Sequence, residues 1–351
     1  MKKPLGKLFA AALSAAALFA AASGYFLFGS APASLAGTTV KVTPENAKAV
    51  YAQLVESAPA FYPPLFADVS YGLVLLGRNP VSGIYRLEKG ESFGRLLLKM
   101  RRGQIAVGAF RIPEGAPIWD VASKFLASAD FPHDTASLPQ DELVQKFAAK
   151  NYLAGTDLHS MEGLFAPDTY FYDAGKSEMR VLEKAFAQQK RILLSEWEAR
   201  DAAASSPIKT PYEALILASL IEKESGLKAD RSLISSVFMN RLRIGMPLQT
   251  DPAVIYGIGP GFNGNLTRAD LRRDTPHNTY RRRGLPPTPI CAPSRESIHA
   301  ALHPAATHYL YFVARGDGTT QFSESLAAHN DAVNEYQIKP AKSAQSAKEK
   351  P

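Results

Sequence analysis

The stretch PYEALILASLIEKESG, residues 211–226, decides how the second half of this chain folds. Proline opens it and glycine closes it, the usual asymmetry between a helix start and a helix stop. Between them Leu215, Ile216, Leu217, Ala218, Leu220 and Ile221 leave no polar face. A helix apolar all round is a buried one. Its last turn carries Glu222, Lys223 and Glu224. Counting back at helical spacing, Glu224 lies over Ile221, Leu220 and Leu217, so its carboxyl group shares a face with branched aliphatic side chains. Desolvation and the negative end of the helix dipole both favour the protonated acid there. An acid that keeps its proton near neutral pH is what general-acid cleavage of a glycosidic bond requires. A glutamate near a helix end is more often a surface residue or a lysine's partner, so this local pattern alone does not establish catalysis. Glu222, on another face, has the weaker claim.

Downstream, Gln249-Thr250-Asp251-Pro252 reads as an extended approach to a helix, with Asp251 as N-cap and Pro252 in the first turn. Capping explains Asp251 at least as well as chemistry does. Tyr256 to Gly261 is a glycine-rich turn without a basic phosphate signature, so it is no nucleotide loop. His277-Asn278-Thr279-Tyr280 followed by Gly284-Leu285-Pro286-Pro287 is polar and aromatic, then rigid. That composition suits a wall that hydrogen-bonds and stacks sugars, and it also suits an ordinary connector. Tyr309 to Val313 reads as an aromatic core strand. The candidate site is therefore Glu224 as the catalytic group, with Gln249, Asp251, Tyr256, Asn278 and Tyr280 as substrate-binding positions.

Other chemistries are set aside. There is no His-Glu-x-x-His pattern, and His299 with His303, at helical spacing, lacks a third ligand nearby and runs into Pro304. No metal and no cofactor is expected. Cys291, the only cysteine, has no assisting base in view and excludes an internal disulfide. The formal charge of +7 is partly carried by Lys2, Lys3, Lys7 and the lysines from Lys339 on, leaving a mildly basic body. That balance suits an anionic surface or acidic polymer and falls short of a nucleic-acid binder, so no nucleic-acid partner is expected.

The N-terminus sets the expected compartment. From Leu8 to Phe28 there are 21 residues and no charge. As a helix they span roughly 30 Å, enough to cross a bilayer. Lysines before the run place the N-terminus in the cytoplasm and the remainder outside it. A cleaved signal peptide is the competing reading, and export follows under either. The expected organisation is a cytoplasmic tail at 1–7, a transmembrane anchor at 8–28, a linker and lead-in at 29–70, and a small α+β module at 71–130. A helical connecting region follows at 131–210, then a catalytic region at 211–336 and a disordered tail at 337–351. Within these, patterning predicts a strand at Gly83–Leu87 and a helix at Ser92–Met100. A β-like stretch at 105–112, a helix at about Pro117–Leu126 and an amphipathic helix at Ser177–Arg200 follow.

Taken in order, several segments resemble one family, the endolytic murein transglycosylases of the MltG or YceG-like type. They are Ala218 to Ser225, Ser236 to Leu242, Leu248 to Gly257, Asn278 to Tyr280, Gly284 to Pro287 and Tyr309 to Val313, with Gly83 to Gly115 and Glu162 to Tyr170 in support. Each segment is weak alone; so many in the right order are specific. The resemblance implies an α+β fold: an N-terminal transmembrane helix, a small LysM-like α+β module, and a mixed α/β catalytic domain built around a buried helix. It implies a single-pass protein of the bacterial inner membrane with its catalytic body in the periplasm. The implied partners are peptidoglycan glycan strands, the inner membrane and the peptidoglycan synthases. The implied reaction cuts the MurNAc–GlcNAc bond within nascent strands, leaves 1,6-anhydro-MurNAc ends and limits strand length. The family's essential glutamate, the second of Glu-Lys-Glu, falls on Glu224. His277 and Thr288 depart from the family's usual residues around the site wall. Two other functions compete: a hydrolytic muramidase using Glu224 and Asp251, and a non-enzymatic peptidoglycan-binding scaffold.

Overall fold

The computed structural model describes residues 24, 27–58, 64–135, 140–148, 160–224 and 226–339. They divide into two compact units. The first comprises the chain up to Ala109 with 129–132 and 171–177, and the second the remainder.

In the first unit, β1 (Thr39–Val42) is followed by α1 (Ala47–Glu56), α2 (Pro64–Leu75) and β2 (Gly83–Arg86), and the two strands pair antiparallel with Val40 opposite Tyr85. Next comes α3 (Phe93–Arg102), whose Phe93, Leu96, Leu97 and Met100 recur at helical spacing and are all buried. Ser92 caps its start by accepting the Arg95 N–H, and Gly103, at φ 67°, ends it in the left-handed conformation that glycine adopts without strain. Val42, Tyr51, Leu54 and Val55 join Tyr85, Leu87 and the α3 face in one core. Residues 39–58, inside the stretch expected as a linker, thus belong to the same core as the strand and helix predicted at 83–100.

The chain continues through β3 (Val107–Ile112), α4 (Ile118–Ala127), α5 (Gln140–Ala148) and β4 (Asp168–Asp173), and β3 pairs with β4. In the second unit α6 (Met179–Glu198), α7 (Pro211–Glu224), α8 (Arg231–Arg243), α9 (Asp251–Ile258), α10 (Arg268–Arg272) and α11 (Arg295–Leu302) follow. The antiparallel hairpin of β5 (Tyr311–Ala314) and β6 (Thr320–Ser323) comes next, with Phe312 opposite Phe322, and then α12 (Leu326–Val333). The centre of this unit is α7. Tyr212 and every residue from Ala214 to Ile221 are buried, and α6, α8 and α11 pack around the helix. Its buried serine is satisfied: Ser219 donates to the Ile216 carbonyl and accepts the Ile290 N–H at 3.0 Å.

The expected fold class is corrected. The described residues form a mixed α/β arrangement of helices with three two-stranded sheets. No helix among them is long and apolar enough to cross a membrane. The longest, α6, has 20 residues but carries charge along its length, including Arg180, Lys190 and Arg191, and buries only one side. The run Leu8–Phe28, on which the transmembrane expectation rested, lies outside the described residues except for Gly24, Leu27 and Phe28. The tail expected to be disordered lies outside them beyond Lys339. The strands stay small because each finds one partner and is then interrupted. From 174 to 310 the described chain is helix and irregular loop, broken repeatedly by glycine and proline.

Gly163 is the tightest backbone position of the second unit. It sits at φ +75°, and an added Cβ would lie 2.6 Å from the Pro289 Cβ and 2.8 Å from its Cγ, a rigid ring that cannot swing aside. Gly163→Ala is expected to lower stability by roughly 2–4 kcal/mol, from left-handed strain plus overpacking. Urea denaturation measures this, and a loss below about 0.5 kcal/mol would show that the ring does yield.

Candidate active site

The last turn of α7 delivers Glu224 to the edge of a cleft of about 430 Å³. One side is built by Gln249 and Asp251 at the start of α9 and by Tyr280 from the loop beyond α10. The other comes from Tyr311 and Phe312 on β5 and Leu326, His329 and Asn330 on α12, with Arg241 from α8 also lining the space. Burial pushes the Glu224 carboxyl from its ordinary value up to about 7; the Thr250 side chain lowers it, the Asp251 charge raises it, and the Arg241 cation lowers it. The balance is the one a buried acid beside a like charge should show.

Arg241 holds the two sides of the cleft together. It is only 7% exposed. Its Nε donates to the Leu310 carbonyl and its Nη1 to the Leu248 carbonyl, each at 2.7 Å, and its guanidinium lies 5.4 Å from the centre of the Tyr311 ring. Leu310 leads into β5 and Leu248 into α9, so one cation fixes the entry to both walls. Burial lowers the pKa of Arg241, with Tyr311, Tyr280 and Glu224 opposing. Its neighbour Asn240 adds two donations at 2.9 Å, to the Thr307 and Tyr309 carbonyls.

The loop before α9 is held as firmly. Gln249 has φ 51°, the left-handed region that a non-glycine residue rarely occupies, and its N–H donates to the Thr279 carbonyl at 3.1 Å. The Thr250 N–H donates to the Thr279 hydroxyl at 3.0 Å, and that hydroxyl donates back to the Thr250 carbonyl. Strain of this kind persists where surrounding bonds over-determine the backbone. The N-cap of α9 is Thr250, and Asp251 is its first residue, so the expectation of Asp251 as N-cap is corrected. The Asp251 carboxylate is exposed and accepts the Tyr280 hydroxyl at 2.6 Å.

Of the six residues predicted for the site, the fold gathers Glu224, Gln249, Asp251 and Tyr280 in this cleft. Asn278 and Tyr256 are placed elsewhere. Asn278 is fully buried; its amide donates to the Leu271 and Arg273 carbonyls and its oxygen accepts the Tyr280 N–H, so it shapes the loop that presents Tyr280. Tyr256 stacks on Trp119 at 4.8 Å and hydrogen-bonds to Glu162. Glu162 is a second carboxyl that burial pushes up to about 7, yet it accepts the Ile118 N–H at 2.9 Å at the start of α4, a capping role. Glu222 is likewise structural: it pairs with Arg231 at 3.0 Å and accepts the Ser294 N–H at 2.9 Å, tying α7 to α8 and to the start of α11.

Sequence reasoning missed Arg241, Tyr311, Phe312, Leu326, His329 and Asn330. For Arg241 a signal existed: an arginine one turn beyond Val237 and Phe238, on a helix otherwise committed to the core, needs buried partners. For the α12 residues no local signal exists, since only the chain reversal after β6 brings them to the cleft.

The chain as a whole is similar to proteins of known name. An endolytic murein transglycosylase of Bacillus subtilis (strain 168) is 32% identical over 266 residues, which is 73% of this chain and 72% of that protein. One from Streptococcus pneumoniae serotype 2 (strain D39) is 27% identical over 281 residues, and there the chain spans half the relative's length. The crystal structure of a yceG-like protein from Listeria monocytogenes superposes with a TM-score of 0.55 at 26% identity, covering 84% of this chain and 98% of that one. The sequence model of the YceG-like family matches residues 45–335, a span that takes in every cleft residue, and the chain belongs to that family.

Proposed function

We propose that this chain cleaves within the glycan strands of peptidoglycan as an endolytic murein transglycosylase, with Glu224 serving first as acid and then as base. The observation that carries the reading is a carboxyl group whose pKa burial pushes up to about 7, at the rim of a cleft of about 430 Å³. The relatives that cover most of this chain are named for that activity.

Glu224 donates its proton to the oxygen linking N-acetylmuramic acid to N-acetylglucosamine, and that C–O bond breaks through an oxocarbenium-like state. The carboxylate so formed takes the proton of the muramic acid 6-hydroxyl, whose oxygen bonds to the anomeric carbon and closes a 1,6-anhydro ring. Glu224 ends protonated, no water is consumed, and one carboxyl suffices because the nucleophile belongs to the substrate; ordinary glycosidases need two. Asp251 keeps the Glu224 proton affinity high and, with Tyr280, orients the sugar; Gln249 offers its amide from the strained loop. The aromatic faces of Tyr311 and Phe312 supply a stacking wall on the far side. Since peptidoglycan lies outside the cytoplasmic membrane, the catalytic body works there, close to the synthases whose strands it shortens.

A hydrolytic muramidase is the second reading, favoured by the Asp251 carboxylate in the same cleft. Mass spectrometry of digested peptidoglycan separates them: transglycosylase fragments are one water lighter, and fragments of hydrolytic mass would sink the first reading. Glu224→Gln should slow cleavage by about 10²–10⁴-fold while pull-down on peptidoglycan is unchanged. If cleavage survives the substitution, the acid is elsewhere.

Two pH effects follow from the raised Glu224 value. The acid form is lost above about pH 7, so kcat/KM should fall on the alkaline side roughly tenfold per pH unit. Asp251→Asn removes a charge that raises Glu224 and should move that limb to lower pH; a limb that stays in place would show that Asp251 exerts no field on the acid. For stability, the folded protein holds the proton more tightly than the unfolded chain does, so the Glu224 contribution is fully present below about pH 4.5 and is lost as pH rises to about 7. Glu224→Gln, which mimics the neutral acid, should therefore be more stable than wild type by about 1–3 kcal/mol at pH 8, with the gap closing near pH 4. Equal stability of the two proteins at pH 8 would mean that the carboxyl is solvated.

A further inference from the structure

The second unit carries a cluster of ligand-type side chains, none of which lines the cleft. Glu196 comes from the last turn of α6, His299 from the last turn of α11, and His303 from the residue that ends α11. On sequence alone the histidine pair lacked a third ligand; the fold brings Glu196 to it across a separation of more than 100 residues. One ligand atom from each of the three lies within 4.8 Å of the others. The Glu196 side chain is only 7% exposed, and its two oxygens are differently engaged: Oε1 accepts Arg295 Nε and Oε2 faces His299 Nδ1, both at 2.8 Å. The two imidazole rings stack at 4.3 Å with 22° between their planes.

One feature of this cluster is costly without an ion. The His303 Nε2 atom is buried and makes no hydrogen bond to any described residue, which leaves a desolvated polar atom unsatisfied. The basic groups around the cluster do not repel a cation fully, since Arg231 is paired with Glu222, Lys228 with Glu296 and Arg295 with the outer oxygen of Glu196. A depression of about 520 Å³, lined by all three side chains with Ser232 and Ala300, leaves room for a water beside them.

We propose that Glu196, His299 and His303 form a binding site for one Zn²⁺ ion, which staples α6 to the end of α11. Two imidazoles and one carboxylate with a water in the fourth position are a set that zinc accepts, at about 2.0–2.2 Å from each ligand atom. At those bond lengths tetrahedral ligand atoms stand about 3.4 Å apart, so closing from separations of up to 4.8 Å takes side-chain movements of about 1–1.5 Å. Zinc displaces the proton between His299 and the carboxylate, and Arg295 keeps its hold on Oε1 as the outer partner that orients the carboxylate. Because α11 and α6 both pack on α7, the staple tightens the scaffold beneath Glu224.

The test uses the full chain without an affinity tag, stripped with chelator and titrated with ZnCl₂ by calorimetry and with CoCl₂ by visible absorption. The only cysteine, Cys291, is buried and does not compete. One ion per chain is expected, with the absorption of four-coordinate Co²⁺ and a rise in Tm of roughly 5 °C at hundredfold excess over Kd. His303→Ala removes a ring nitrogen with no hydrogen bond to a described residue, so its fold, checked by circular dichroism, should be kept, and it should weaken binding at least tenfold; Glu196→Gln should do the same. Absence of saturable binding, or wild-type affinity in His303→Ala, overturns the proposal.

Discussion

The carboxyl group of Glu224 sits where water would ordinarily solvate it only in part, at the end of a helix whose residues from Ala214 to Ile221 are all buried. Raising its proton affinity from about 4.5 to about 7 means that, once ionised, it opposes folding by up to about 3 kcal/mol. That is a large share of the margin by which a domain is stable. The surrounding structure has to offset it, and the architecture of the second unit follows from that need. An apolar helix is enclosed by α6, α8 and α11, its serine is satisfied by Ile290, and the neighbouring Glu222 is neutralised by Arg231 and Ser294.

Glu222 and Glu224 make the point within a single turn. They are two residues apart, so the helix sends them about 200° apart around its axis. Glu222 pairs with a guanidinium, accepts a backbone N–H and fastens three helices. Glu224 is desolvated and faces the Asp251 charge, which together outweigh the Thr250 and Arg241 side chains that favour its ionised form. The same residue type becomes an anchor at one position and an acid at the other because of what faces it, not because of anything intrinsic to the side chain.

How much of this was readable beforehand divides along the same line. The buried helix at 211–224, the loop start at 249–251 and the half-buried aromatic at Tyr280 were legible because each follows from periodicity, turn chemistry or composition over a few residues. Asn278 lies outside the cleft, and an asparagine in a polar loop reads alike whether its amide faces a ligand or, as here, three backbone carbonyls. Tyr256 also lies outside it: stacked on Trp119, it is an aromatic whose partner lies far away in sequence. Residues 39–58 fall in the stretch read as linker and lead-in because their apolar positions, Val42, Tyr51, Leu54 and Val55, only form a core when β2 and α3 close over them. In each case the deciding contact is non-local, and no short window contains it.

Arg241 shows why the cleft can remain open. Two sides that must stay apart to admit a polysaccharide cannot be held by apolar packing between them, since that would close the gap. A buried cation placed behind both sides solves the problem: its two carbonyl bonds set the spacing of β5 and the α9 entry, while its charge, unlike a neutral donor's, also reaches Glu224. The sign of that influence is against the raised proton affinity, so the same residue that spaces the walls limits how far burial can carry the acid. Asp251, across the cleft and bonded to Tyr280, works in the opposite direction. Glu224 is thus balanced between a cation fixed in the scaffold and an anion on the exposed rim. Only the rim partner is within reach of an arriving sugar. A substrate that screens or displaces Asp251 lowers the proton affinity of Glu224, which makes the acid stronger once the cleft is filled.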